Sequence, residues 1–368
     1  MKSVLMRAQS TLLQHSCLAL VLALGLTLAD STDAHAQATE PMTGSAVHPQ
    51  GMRASTRTPL HKAIENGETE VALQLIAAQQ ELQTPDSFGL MPLHFAAIQN
   101  NPPVMQALLQ KGVNINAVDQ RGDSALHMIA ANHGSEELTR MLLQQGAKPD
   151  LPNRTGQTPL HWIAAEGNLP LAKVMLTAHA QVNIQDESGD TPLQWAAESG
   201  HDKMVALLLQ YKADPNLANQ LGRTPLFWAA RAGDIPMAEQ LFARKAKVDI
   251  RSLSGDSPLH WAAGEGHAAM VKFLIRWASD VNPVAEYQET PLHWAAMRGQ
   301  DEVATILLAH GANLTAKDKS GHTPLVLAQQ RGHEAVARVL AARENDLKTA
   351  NKGHNIPRVV ANNTSTDR

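Results

Sequence analysis

The stretch SPLHWAA at residues 257–263 returns as TPLHWAA at residues 290–296. Variants of it begin at Thr58, Met91, Ser124, Thr158, Thr191, Thr224, Ser257, Thr290 and Thr323, every 33 residues with one step of 34 between Ser124 and Thr158. A fixed period of this size over residues 58–343 marks one array of stacked supersecondary units. A chain of 368 residues would otherwise suggest two or three separate domains. With 43% hydrophobic residues the array has enough apolar side chain for a continuous core. The net charge of -4 and the scattered Lys and Arg leave no basic footprint for nucleic acid.

Each unit carries its own start and stop signals. Thr or Ser is a good N-cap, and the Pro that follows has the fixed φ of a first helical position. Nine residues after the cap a glycine such as Gly233, Gly266 or Gly299, or Asn100 in the second unit, is placed to end the helix in the left-handed conformation. A second apolar run, such as VALLL at residues 205–209, has the spacing of an amphipathic helix returning antiparallel. Polar stretches with a glycine two residues before the next cap, such as DESGD at residues 186–190, mark a tight projecting turn.

The 33-residue period and the T-P-L-H-x-A string together resemble the ankyrin repeat family. The resemblance implies an all-α repeat solenoid of nine helix-turn-helix units with projecting β-hairpin turns. It also implies a concave face that grips a protein partner, and a structural hydrogen bond from the histidine of each motif to the neighbouring turn. The opening unit has Lys62 where later units have Trp, and the closing unit has Val326 and Gln329 in place of His and Ala. Terminal repeats lack one neighbour, so these substitutions suit caps. The third unit holds an extra residue near Asn132 and His133, and the eighth has Gln288 where the others have a turn glycine, a position expected to be strained.

The segments outside the array read differently. Lys2 and Arg7 precede a short apolar run at residues 17–28 (CLALVLALGLTL), and Ala34-His35-Ala36 supplies a small-x-small cleavage pattern. Residues 1–36 are therefore expected to be a signal peptide, with the mature chain starting at Gln37. The single cysteine, Cys17, lies in the part to be removed, which leaves a thiol-free protein suited to an oxidising compartment such as a bacterial periplasm. Residues 37–55 have the polar, Pro/Gly/Ser/Thr-rich composition of a flexible linker, and residues 344–368 are expected to be a disordered tail.

Seventeen histidines invite a metal site, yet six of them occupy one repeat position: His61, His94, His127, His161, His260 and His293. Equivalent positions on stacked helices lie about 8–10 Å apart, too far for shared ligation. No H-E-x-x-H, G-x-S-x-G or phosphate-binding glycine loop is present. The sequence thus points to a non-enzymatic scaffold without cofactor or metal. It is expected to act as a monomer on a protein partner, bind no nucleic acid and touch no membrane after signal cleavage. Two settings fit: a periplasmic scaffold, or a secreted effector engaging a host or competitor protein.

The candidate partner-binding residues are an aromatic row with flanking hairpin positions. Trp162, Trp195, Trp228, Trp261 and Trp294 occur once per unit just after the His position, extended by Phe95 and Met128; Arg121, Arg154, Glu187, Arg223 and Tyr287 flank them. The tryptophans either fill space between neighbouring first helices or form a partly exposed stripe of aromatic anchors. At helix spacing, successive members should stand about 8–10 Å apart without ring contact.

Overall fold

The computed structural model describes residues 57–353. The signal segment, the Gln37 terminus and the 37–55 linker lie outside the described residues. Two compact units divide the chain: Met1–Ile163 with Pro170–Ala180, and Ala164–Leu169 with Gln181–Arg368.

In the first unit, helices alternate as short pairs: α1 (Pro59–Glu65) with α2 (Thr69–Ala77), α3 (Pro92–Ile98) with α4 (Pro102–Gln110), and α5 (Ala125–Ala131) with α6 (Glu136–Gln144). Helix α7 (Pro159–Glu166) starts in this unit and ends in the other, and α8 (Leu169–Thr177) lies almost wholly in the first. The second unit continues the pattern with α9 (Pro192–Glu198) and α10 (Asp202–Gln210), α11 (Pro225–Ala232) and α12 (Ile235–Ala243), and α13 (Pro258–Glu265) and α14 (Ala268–Arg276). It closes with α15 (Pro291–Arg298), α16 (Asp301–Ala309), α17 (Pro324–Gln330) and α18 (Glu334–Gly353). Within each unit first helices pack on first helices and second helices on second helices: α1 on α3 on α5, and α9 on α11 on α13 on α15 on α17.

The motif explains this packing. Its leucine is buried in the first eight pairs, as at Leu226, Leu259 and Leu292, and half-buried at Leu325 in the last; the alanines beside it let neighbouring helices approach closely. The cap residue is extended, with φ -119° and ψ 166° at Ser257, and Pro fills the first helical position. At Gly266 the chain turns left-handed at φ 81°, and a Cβ there would lie 2.3 Å from Gln300 Oε1 of the next pair. The left-handed φ calls for glycine, whereas the crowding falls on the movable end of the Gln300 side chain.

The turns between pairs are hairpins without strands. Among the described residues the one isolated β-bridge joins Val118 and Ser124. Each turn is closed by its own backbone, as where Asp119 N–H bonds the Asp123 carbonyl at 3.0 Å and Gly122 N–H bonds the Asp119 carbonyl at 3.0 Å. Where the turn opens with Asp or Asn, that side chain reinforces it: Asn219 Oδ1 accepts from the N–H groups of Leu221 and Arg223, each at 3.0 Å. Neighbouring hairpins are then laced together. Gln120 N–H bonds Phe88 O at 3.0 Å, Arg154 bonds Arg121 at 2.8 Å, and in the second unit Gln220 bonds Ser188, Leu253 bonds Leu221, Glu286 bonds Ser254 and Lys319 bonds Tyr287.

One expectation is overturned. Residues 344–353 do not form a disordered tail; they continue α18. The sequence there lacks apolar periodicity, yet Glu344, Leu347, Lys348 and Ala350 favour the helix, and Glu344 pairs with Lys348 one turn later at 2.8 Å. Residues 354–368 lie outside the described residues.

Candidate functional site

The histidines are structural ties. In α1, His61 Nδ1 accepts from the Thr58 N–H at 3.2 Å and from the Thr58 hydroxyl at 2.9 Å, which places the ring proton on Nε2. That Nε2–H donates to the Leu90 carbonyl of the next hairpin at 3.1 Å. The same forward bond joins His94 to Ala117, His127 to Gln157, His260 to Glu289 and His293 to His322, at 3.0–3.3 Å. Burial lowers the pKa of all five rings, to about 4 for His127 and His260, so they are neutral at physiological pH.

A second set of ties had no signal in the motif. The residue after the helix-ending glycine reaches back to the preceding pair: His201 bonds the Ala165 carbonyl at 2.8 Å, His267 bonds Arg231 at 2.8 Å and His333 bonds Met297 at 2.9 Å. A Cβ on Gly233 would stand 2.7 Å from the His267 ring, so the glycine also clears its path. Among the described residues no three His, Cys, Asp or Glu side chains converge as metal ligands would.

The tryptophan row divides. Trp228 and Trp261 are 9% and 7% exposed, whereas Trp162, Trp195 and Trp294 are half-buried. Phe95 and Met128 are buried. The expected ring separation fails at one place: Trp228 and Trp261 meet edge to face with centroids 5.9 Å apart. Helix spacing fixes the axes, but two indoles leaning toward each other close the gap. Elsewhere the ring of one motif meets the preceding histidine, as in His127–Trp162 at 5.4 Å and His260–Trp294 at 5.3 Å. Trp228, Trp261, Phe95 and Met128 are thus packed between neighbours, while Trp162, Trp195 and Trp294 keep part of their surface open.

The indole N–H groups are served from the hairpins. Trp162 donates to Gln157 Oε1 at 2.9 Å, Trp261 to Asp256 Oδ2 at 2.5 Å, and Trp294 to Glu289 Oε2 at 3.3 Å, each five residues back; Trp195 donates to Asp186 Oδ2 at 3.1 Å. Trp228 is the exception, because the residue five positions before it is Arg223. Its buried Nε1 has no acceptor, and neither has the buried Arg223 Nε.

The surroundings of that exception are cationic and aromatic. The Arg223 guanidinium sits 4.8 Å from the Trp261 ring centroid, and that of Arg231 5.5 Å from Trp261 and 5.9 Å from Trp228. The hairpins nearby in sequence expose Leu221 (51%), Leu253 (78%) and Tyr287 (57%), with Lys319 over the Tyr287 ring at 5.2 Å. Of the ten candidate residues, Trp228, Trp261 and Arg223 are thus brought together. Arg121, Arg154, Glu187 and Tyr287 are exposed on hairpins, as a contact role requires. Arg231, Leu221 and Leu253 were missed. The residues five positions before the other tryptophans, Gln157, Asp190, Asp256 and Glu289, all carry a side-chain acceptor, and Arg223 breaking that series was the signal that could have found Arg231's neighbourhood.

A second aromatic group was also missed because it lies on the second helices, outside the motif. Trp277 stacks on Phe242 at 4.6 Å and 7°, with Phe273 beside both.

Comparison with known proteins follows this geometry. A family model described as ankyrin repeats (3 copies) matches in overlapping placements at residues 35–119, 60–153, 93–186, 126–219, 161–252, 212–285 and 279–351. Inversin of Gallus gallus is 32% identical over 108 residues, covering 29% of this chain and 10% of inversin. A probable serine/threonine-protein kinase of Dictyostelium discoideum is 29% identical over 113 residues, 28% of this chain and 13% of the kinase. The B-cell lymphoma 3 protein homolog of Mus musculus is 36% identical over 104 residues, 28% and 23% respectively. The chain spans less than a quarter of the length of each of these relatives.

Proposed function

This chain belongs to the ankyrin-repeat family, whose repeats are interaction modules, and we propose on that basis that it is a non-enzymatic scaffold that binds a protein partner outside the cytoplasm. Binding would use the concave side formed by the first helices and the hairpins. The observation that carries this reading is the group Arg223, Trp228, Arg231 and Trp261 beside exposed Leu221 and Leu253. Aromatic and arginine anchors next to apolar surface have the composition of an interface core. Export rests on the apolar run at residues 17–28 and the small-x-small site before Gln37, which also motivate a bacterial, thiol-free protein of the periplasm. No helix among the described residues is long and apolar enough to cross a membrane.

The test is affinity capture after in-cell cross-linking, comparing the native chain with Arg223→Gln/Arg231→Gln. A partner enriched by the native chain and reduced by the variant supports the reading. No enriched protein in any fraction sinks it. Fractionation into periplasm, membrane and medium tells a periplasmic scaffold from a secreted effector, and a chain retained in the cytoplasm with residue 1 intact overturns export.

A further inference from the structure

The sixth pair, α11 and α12, is built with donors where its neighbours have acceptors. Three other tryptophans of the row hand their N–H to Gln157, Asp256 or Glu289, each five residues back. At Trp228 that place holds Arg223, so two buried donors, Trp228 Nε1 and Arg223 Nε, lie without an acceptor. Trp228 itself is 9% exposed. A buried donor left unmade is costly, and a fold that fills this position with acceptors elsewhere has no packing reason to leave one open here.

Neither guanidinium is held by an ion pair. Arg223 and Arg231 both lie against Trp261, and neither joins an ion pair among the described residues. Glu198 feels the charge of both and Asp190 that of Arg223, but neither carboxylate forms an ion pair with them. Beside them Leu221 and Leu253 stand 51% and 78% exposed, joined by the Leu253 N–H bond to the Leu221 carbonyl at 2.8 Å. Cations, an unmatched indole N–H and an apolar step therefore occur together.

We propose that this is a docking site for a carboxylate side chain of the partner, an Asp or Glu followed or preceded by an apolar residue, taken up by Arg223, Arg231 and the Trp228 N–H with the apolar residue on Leu221 and Leu253. The site deepens the scaffold reading and rests on it for its biological use. The carboxylate does for Trp228 what Asp256 does for Trp261. It gains entry by shifting the Arg223 and Arg231 side chains, which no ion pair fastens in place. A carboxylate suits two arginine forks because each guanidinium offers paired donors in a fixed plane.

The experiment follows the indole N–H resonances of the 15N-labelled chain during titration with the capped tripeptide Leu-Asp-Leu, its Leu-Asn-Leu control, and inorganic phosphate alone. The Trp228 N–H is expected to move downfield with the Asp peptide and bind it about tenfold or more tightly than the Asn peptide, the worth of one charge-assisted hydrogen bond. Arg223→Glu, which recreates the internal acceptor of Glu289, should stay folded and abolish the shift; a merely structural arginine would not couple the two. Equal binding of the Asp and Asn peptides, an unmoved Trp228 signal at millimolar peptide, or full binding by Arg223→Glu each overturns the site. A larger effect of phosphate than of the Asp peptide overturns the carboxylate assignment. If the peptide moves Trp228 but cross-linking captures no protein, the site stands and the scaffold reading fails; capture that survives Arg223→Glu gives the reverse.

Discussion

Gln194 bonds the Arg223 carbonyl at 2.9 Å through Nε2 while its Oε1 accepts from the Thr191 N–H at 2.9 Å. It thus makes both connections that histidine makes in the neighbouring pairs. A carboxamide offers an acceptor and a donor at the reach of a neutral imidazole, and this equivalence follows from hydrogen-bond chemistry alone. Gln194→His should melt within a few degrees of the native chain. Gln194→Leu strands two buried backbone groups and should cost about 1–3 kcal/mol in chemical denaturation. A Leu variant as stable as the native chain would show that the bridge contributes nothing.

The same equivalence allows the pH response to be isolated. His127 and His260 titrate near pH 4 in the fold and near 6.5 when unfolded, so the unfolded chain binds more protons between these values. Stability from the buried rings is complete above about pH 6.5 and is lost as the pH falls toward 4. Asp123 and Asp190 act oppositely, because burial raises their carboxyls to about 6 and they bind protons more readily in the fold as the pH falls. Asp202 and Glu198 are raised as well, so five lowered histidines stand against four raised acids, and the melting temperature should fall on acidification from pH 7 to 4.5. His127→Gln should keep the fold at pH 7.5 and shrink that fall. An unchanged pH profile in this variant would remove His127 from the account.

The hairpin at residues 285–289 is the weak turn. It has Ala285 where the others have an Asp or Asn acceptor or, at Ser252, a hydroxyl, and Gln288 at φ 58° where the others have glycine. A side chain held in the left-handed region costs roughly 1–2 kcal/mol. Gln288→Gly should raise stability by up to about 1 kcal/mol after the entropy of glycine in the unfolded chain is subtracted, and adding Ala285→Asp should raise it further. Hydrogen exchange should open the eighth pair before α11 and α13. Greater protection at residues 285–289 than in those helices would contradict this.

Trp228 and Trp261 differ in their hydrogen bonds and little in burial. Truncating either to alanine removes a buried indole and should cost about 3–5 kcal/mol. Replacement by phenylalanine should separate them. Trp261→Phe strands the Asp256 carboxylate, whereas Trp228→Phe gives up no hydrogen bond and should be the milder change in thermal melting. A Trp228→Phe variant destabilised more than Trp261→Phe would mean that Trp228 has an acceptor in solution.

The repeat was legible because its cap, proline, leucine and glycine each answer a local backbone demand that recurs every 33 residues. The forward histidine bond came with the family resemblance. What escaped depended on contacts between pairs that no single motif encodes. The His267 bond back to Arg231, the lean of Trp228 toward Trp261, and the Phe242–Trp277 stack all join positions about one repeat apart. The helix through residues 344–353 escaped because its Asn, Asp, Thr and Gly, with no apolar stripe, have the composition of a tail. The candidate site was half legible: the residues were named, but the missing acceptor at Trp228 appears only when the other indole partners are known.

The hairpin lacing also sets the rules by which such a chain tolerates changes of length. Within each unit the hairpins bond one another through a backbone pair at a fixed point, as Leu253 to Leu221 and Glu286 to Ser254, so an inserted residue there shifts every later partner by one. The extra residue of the third repeat sits instead between α5 and α6, where His133 turns left-handed at φ 50° and Gly134 restores the bond to Ile129, and the lacing from Arg121 to Arg154 survives it. Length is quantised at the hairpins and elastic at the helix junctions. Engineering by single-residue insertion therefore belongs at the junctions, while the hairpins accept only the gain or loss of a whole repeat.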